Sequence, residues 1–256
     1  SSDVCSSDLS AYTKFFREKK GFPKFKSKKD SKQSFSIPQN TKVDFENGRV
    51  FIPKFKIGIK AKLHRTFEGI VKSSTITRTS TGKYFISILV EVNESDVPMK
   101  PICESKAVGI DLGIKTFAVL SDGTEIPNPK YLKQSLDKVK HLQRSLSNKT
   151  KGSKNRDKAR RKLALAYEKV TNQRKDFLHK LSNRLSNEYD VICVEDIDLI
   201  AMSQCLSLGK NISDNGFGMF RTMLEYKLKD RGKYFVKIDK WFPSSKLCNE
   251  CGCVNS

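Results

Sequence analysis

The sequence predicts a chain of two parts: a small basic β-domain, then an α/β domain with an inserted helical hairpin. Three observations predict it. Short runs rich in β-branched and aromatic residues, separated by turn signals, fill residues 35–94. Two continuous apolar runs, AVGI at 107–110 and VICV at 191–194, each end in an acid, Asp111 and Glu195. Between them apolar residues return at three- and four-residue steps, the period of one helix face.

Taken in order, residues 1–10 stand apart. SSDVCSSDL repeats SSD, has no apolar period and lacks the lysine that follows, so this segment is expected to be non-native and adaptor-derived. The β-domain is expected over 11–101. It opens on a basic stretch, 12–35, in which Phe15, Phe16, Phe22, Phe25 and Phe35 interleave with lysine. Such a pattern suits a surface where bases stack and phosphates bind, and equally a solvated loop anchored by its rings. SFSIPQ, RVFIPKF, GIVKSSTITRT and KYFISILVEV then read as strands of a small antiparallel barrel, with ENG at 46–48 and STG at 80–82 as turns. NESDVPMKP at 93–101 reads as a linker.

The α/β domain is expected over 102–247. KAVGIDLG and KTFAVLSDG form a hairpin, and TEIP at 124–127 adds a third strand. Leu132, Leu136, Val139, Leu142 and Leu146 mark one helix face, SNKTKGSKN at 147–155 breaks it, and Leu163, Tyr167, Val170, Phe177, Leu181 and Leu185 resume it. This predicts an antiparallel helical hairpin at 131–187 with a basic outer face. DVICVED at 190–196 and KYFVKIDKW at 233–241 are further strands.

Charge narrows the partners. The 256 residues carry 49 Lys and Arg against 28 Asp and Glu, a net +21. Residues 14–33 hold nine basic and two acidic groups, and residues 137–175 hold fourteen and three, so two windows supply 18 of the 21 charges. Clustered positive charge calls for a polyanion. The longest apolar run, YFISILVEV at 84–92, is far short of a membrane span, and no signal peptide is visible, so nucleic acid is the expected partner, no membrane partner is expected, and the cytoplasm is the expected compartment. Lys24, Lys26, Lys28, Lys29, Arg156, Lys158, Arg160, Arg161 and Lys162 are the candidate phosphate contacts. The seven cysteines are scattered apart from the last three, a pattern of reduced thiols and a metal site rather than a disulfide framework.

Asp111 and Glu195 are the candidate catalytic and metal-holding residues. A continuous apolar strand is buried on both faces, and an ionised side chain at its end is costly without a counter-charge. Two carboxylates on neighbouring strands can hold Mg²⁺ or Mn²⁺, and two such ions about 3.5–4 Å apart promote phosphodiester hydrolysis. Either acid alone is also compatible with an ordinary solvated strand end. Asp196 and Asp198 share that ambiguity, and Asp122 in SDG reads as a turn residue. His64, His141 and His179 do not cluster and read as surface or packing residues.

The ordered series of strand, acid, hairpin, helices, strand, acid, helix, strand and Cys pair resembles the TnpB family, transposon-encoded RNA-guided nucleases related to the type V CRISPR effectors. The resemblance rests on GIDLGIKTFAVLSDG at 109–123, VICVEDIDL at 191–199, FGMFRTMLEYKLKDRGK at 217–233 and WFPSSKLCNECG at 241–252. It implies an RNase H-like (RuvC) α/β nuclease domain, a β-barrel-like wedge domain before it, and a zinc ribbon after it. It also implies metal-dependent DNA cleavage directed by a guide RNA, with Asp111 as the first catalytic acid and Glu195 as the second. Base pairing would then read the target while basic surfaces hold the backbone.

Cys248 and Cys251, with Cys253 beside them, have the spacing of half a zinc ribbon at 248–256. A closed structural Zn²⁺ site takes four ligands. The resemblance places a second Cys pair and a third catalytic acid downstream, so the ribbon and the metal site are expected to be incomplete here and cleavage by this chain weak or absent. A redox pair and a zinc site shared between two chains are the alternatives for these cysteines. The alternative for the whole protein is a non-catalytic, basic, zinc-associated nucleic-acid-binding protein. A junction resolvase would share the nuclease fold but leave the β-domain unexplained.

Overall fold

A computed structural model describes residues 12–18, 21–22, 33–92, 98–195 and 216–238. The chain divides into two compact units, 1–92 and 93–256.

In the first unit, strands β1 (Gln33–Ile37), β5 (Ile70–Arg78) and β6 (Tyr84–Glu91) form an antiparallel sheet in the order β1-β5-β6. The intervening β2 (Lys42–Asp44), β3 (Arg49–Phe51) and β4 (Ile59–Lys60) form a second one. The expected barrel therefore takes another form among the described residues: two three-stranded sheets. Strands of two or three residues offer too few ladder bonds to carry a sheet round into a cylinder. The core between them is correspondingly small, with Ile37, Val50 and Ile52 buried and Ala61, Leu63, Ile76 and Ile86 packed against it. The ENG turn is held by Asp44, whose carboxylate accepts from the backbone N–H and side-chain amide of Asn47 at 3.0 and 2.8 Å.

The second unit is built on a mixed five-stranded sheet. Strand β7 (Ala107–Leu112) pairs antiparallel with β8 (Thr116–Leu120), and β8 with β9 (Glu125–Pro127). The chain then crosses over through helices α1 (Tyr131–Ser147) and α2 (Lys154–Glu188). It returns as β10 (Val191–Glu195), parallel to β7, because two parallel neighbours cannot be joined by a tight turn. Helix α3 (Phe217–Lys229) precedes β11 (Tyr234–Ile238), also parallel to β10, and completes the order β11-β10-β7-β8-β9. Ser153 caps α2, its hydroxyl accepting from the Arg156 N–H at 3.2 Å.

One face of this sheet is buried under α2 and α3. Val108, Ile110, Leu112, Phe117, Ala118, Leu120, Ile192 and Val194 meet Leu178, Leu181, Leu185, Phe220 and Leu224 in one cluster. Phe117 sits at its centre, with the rings of Phe177, Phe217 and Phe220 at 5.2, 5.5 and 5.3 Å. The strand β7 alternates, Val108, Ile110 and Leu112 buried and Asp111 exposed. The expected burial on both faces is therefore corrected among the described residues to burial on one.

Gly216 opens α3 at φ +69°, a left-handed conformation, and a Cβ there would lie 3.2 Å from Leu178 Cδ1 and Arg174 Cδ. Gly216→Ala is expected to lower stability by about 1–2 kcal/mol through the backbone alone, read from urea denaturation. An unchanged midpoint would mean that the helix can start elsewhere.

Candidate active site

The two acids come together through strand register. Cα partners run Val191↔Ala107 to Val194↔Ile110 between β10 and β7, so the next step along both strands brings Glu195 beside Asp111. Adjacent strands lie about 4.8 Å apart. Because partners in register share a face, both side chains stand on the face opposite the buried core. Glu195 is half-buried and Asp111 exposed. Both line one cleft of about 580 Å³, together with Gly109, Val119, Ser121, Cys193 and Ile238.

The register also names what flanks them. Ile238 is the partner of Glu195 on β11, and Val119 is the partner of Asp111 on β8. The carboxylate pair thus stands between two apolar side chains in one row across the sheet. Behind that row, Gly109 places no side chain over the cleft floor, and its N–H donates to Ser121 Oγ at 3.1 Å. Burial pushes the Cys193 thiol up. The two carboxylates offer hard oxygen donors, a set that suits Mg²⁺ or Mn²⁺. Among the described residues no group of three His, Cys, Asp or Glu side chains is placed to hold a metal ion. A pair of carboxylates nonetheless fits Mg²⁺, which keeps several waters and takes its remaining oxygens from substrate phosphates. Asp196, Asp198, Cys248, Cys251 and Cys253 lie outside the described residues.

The expected phosphate contacts are less uniform than their sequence suggests. Lys158, Arg161 and Lys162 are exposed along α2. Arg156 is half-buried, and its guanidinium donates to the carbonyls of Leu146 and Lys149 at 3.0 and 2.8 Å, so its charge holds the turn between α1 and α2. Arg160 pairs with Asp157 at 3.0 Å on the open helix surface, a weak contact that leaves the guanidinium usable. Lys24, Lys26, Lys28 and Lys29 lie outside the described residues. In the same basic stretch the rings of Tyr12, Phe15, Phe16 and Phe22 touch one another, with Phe15 and Phe22 at 5.3 Å.

Asp122, Tyr189, Lys227 and Lys233 support the scaffold of the site, and of these sequence reasoning named only Asp122, as a turn residue. Asp122 is more than a turn residue. Its Oδ1 accepts from the Thr124 N–H at 2.8 Å, and its Oδ2 accepts from the Tyr189 hydroxyl at 2.7 Å, tying the β8–β9 turn to the end of α2. That hydroxyl holds the Asp122 carboxyl below its ordinary value, while the carboxylate pushes Tyr189 up to about 12. The raised tyrosine gives stability that is full below its ordinary value near 10 and is lost as pH rises through about 12. The lowered carboxyl gives stability that is present above its ordinary value near 4 and is lost as pH falls. Tyr189→Phe is expected to remove the latest-ionising tyrosine from an alkaline ultraviolet titration and to flatten both limbs of the stability profile. A late tyrosine persisting in the variant would refute the contact.

Lys227 and Lys233 are buried cations. Lys227 Nζ donates to the His179 carbonyl and to Ser182 Oγ, each at 2.8 Å, joining α3 to α2. Lys233 holds the ends of α2 and the starts of β10 and β11 together, so both charges serve the interior instead of a phosphate backbone. Nothing in a Lys-rich sequence separates these two from the surface lysines.

Residues 87–206 match the OrfB_IS605 family, described as "Probable transposase", and residues 217–256 match "Cas12f1-like, TNB domain". A Streptomyces pristinaespiralis protein named "Putative RNA-guided DNA endonuclease" is 37% identical over 246 residues, covering 95% of this chain and 60% of its own. An Escherichia coli K12 protein, "Putative RNA-guided DNA endonuclease InsQ", is 33% identical over 257 residues, covering 94% and 62%. The chain thus spans about three-fifths of the length of these relatives. In fold it is similar to a chain of a "Cas12f1-sgRNA-target DNA complex", with a TM-score of 0.57 at 16% identity, covering 98% of this chain and 63% of that one.

Proposed function

The chain belongs to the TnpB-like OrfB_IS605 family, and from that premise we propose that its second unit is an RNase H-like (RuvC) nuclease domain that cuts DNA under the direction of a guide RNA. The observation that carries this reading is the side-by-side placement of Asp111 and Glu195 on the open face of the sheet, within one cleft. The relatives' names and the bound nucleic acids of the similar structure support the partners, guide RNA and target DNA.

Asp111 and Glu195 would hold Mg²⁺ or Mn²⁺. The ion, when bound, supplies an activated water and charge stabilisation at the cleaved phosphate. The protein's own share is placement. Adjacent strands in a packed sheet hold the two carboxylates without any loop rearrangement, and Val119 and Ile238 wall them laterally. The open side of the cleft leaves room for a phosphodiester backbone to approach. Lys158, Arg160, Arg161 and Lys162 on α2 offer phosphate contacts that position without reading sequence. Cys248 and Cys251, with Cys253, fall in the TNB-like match and are proposed as thiolate ligands of Zn²⁺.

The test is a nicking assay with RNase and EDTA controls, run on the 256-residue chain and on the complete open reading frame that encodes it. Cleavage by the complete frame that needs both the guide RNA and Mg²⁺ supports the proposal. Cleavage that survives RNase or EDTA would overturn it.

A further inference from the structure

We propose that the gap between the two sheets of the first unit is a binding site for an unstacked base of single-stranded nucleic acid, with the adjoining phosphates held by Lys60, Lys62 and Arg65. This deepens the reading above, since it names where one stretch of a nucleic-acid partner is gripped. The gap is a cavity of about 570 Å³, lined by Val50, Ile52, Ile59, Ile76, Tyr84 and Phe85, with Lys60, Lys62 and His64 at the same cavity. That volume lies within the roughly 300–1,000 Å³ of small-ligand pockets, which are mostly apolar with a few polar groups.

Its exposed apolar surface is out of keeping with a finished core. Tyr84 is 69% exposed, Phe85 56% and Ile59 41%, although all three line the cavity. Tyr84, on the same face of β6 as Ile86, offers its ring for stacking to any base, since every base has a π-face. Charge selects the occupant. Residues 33–92 carry ten basic against four acidic groups, and no ion pair among the described residues engages Lys60, Lys62, His64 or Arg65. An apolar peptide would fill the cavity but leave these cations unanswered, whereas a nucleotide answers both. A second, more polar cleft of about 470 Å³ shares His64 and adds Arg65, Thr66 and Phe45, whose ring packs edge-on against Phe67 at 5.0 Å. The two hollows meeting at His64 make a track for neighbouring nucleotides of one strand.

The experiment uses the full chain and short single strands of one sequence, made as RNA and as DNA, each with a single thio-substituted pyrimidine for photo-crosslinking. Crosslinks mapping to residues 82–92 are expected. Tyr84→Ala is expected to weaken binding about 10-fold, the loss of one stacked base. Lys60→Gln/Lys62→Gln should reduce the salt-dependence slope by about 1.4, two phosphate contacts on a single strand. The RNA and DNA arms show which strand is preferred, and a crosslink with either supports the site. Crosslinks confined to the second unit, with unchanged affinity in both variants, overturn the site while leaving the nuclease reading intact. Failure of the wild-type chain to bind either strand overturns both. Crosslinking is read on the wild type, so a variant that folds poorly does not spare the proposal.

Discussion

Asp111→Asn is expected to abolish Mg²⁺-dependent cleavage while leaving the fold and nucleic-acid affinity unchanged. Asn keeps the size of the side chain and removes its charge, and the position is exposed on β7, outside the core cluster. Thermal stability should therefore stay within about 0.5 kcal/mol of the parent. Cation binding depends on that charge. Disturbing a group that merely supports a metal ligand typically costs 10–100-fold in affinity or activity, so loss of a ligand is expected to cost at least about 100-fold. Mn²⁺ binding by paramagnetic relaxation gives a direct readout on the chain itself, and cleavage by the complete open reading frame gives the second. Glu195→Gln should behave alike, because on the proposed reading both carboxylates hold the cation. If Asp111→Asn still binds Mn²⁺ with parental affinity, the pair is not the metal site and the cutting chemistry must be sought elsewhere.

Lys233→Met is expected to give a clear loss of stability in the second unit. Lys233 is 6% exposed, and its Nζ donates to the carbonyls of Asn187 and Tyr189 at 3.1 and 2.9 Å and pairs with Asp190 Oδ1 at 2.9 Å. The backbone repeats the link, with the Asp190 N–H donating to the Lys106 carbonyl at 2.8 Å and the Tyr234 N–H to the Asp190 carbonyl at 2.9 Å. One ammonium thus joins the end of α2 to the starts of β10 and β11. Met fills similar volume but leaves a carboxylate and two carbonyls facing apolar atoms. Lys233 is buried and Asp190 half-buried, so removing one partner is costlier than replacing both, and a fall of roughly 5 °C in Tm is expected. The Lys233 ammonium holds the Asp190 carboxyl below its ordinary value. Its stabilising effect is present above about pH 4 and is lost as pH falls through the lowered value, so parent and variant should converge in acid. Lys233→Met/Asp190→Leu is expected to recover part of the loss. A single variant melting within about 2 °C of the parent would show that the pair is not holding these elements.

The two acids illustrate how much of the site was legible. Both were visible because each follows a continuous apolar run, and strand periodicity needs only local sequence. Their adjacency was not, since it depends on β10 entering the sheet parallel to β7 after a crossover of two helices. Burial on both faces would make such a charge costly, yet β7 is covered on one face among the described residues, and it is register and a shared cleft that bring the two acids together. Among the cations, Arg156, Lys227 and Lys233 look in sequence like any others of a basic surface. Only packing shows that their charges are directed at main-chain carbonyls and internal partners.

In the first unit the longer strands were readable from β-branched runs and turn residues, while β2 and β4 are too short to leave a period. Whether those strands closed a barrel or left a gap was a question of pairing, which no single run can answer.

By itself, the chain's order of residues determined which segments become strand or helix, where positive charge gathers, and which acids end apolar runs. These are near-neighbour properties, set by backbone stereochemistry and by the spacing of apolar side chains. The tertiary structure alone decided which strand lies beside which, which face stays open, and which lysines turn inward. Those outcomes arise from contacts between residues far apart in the chain, where packing against a shared core selects one arrangement from many that local preferences would allow.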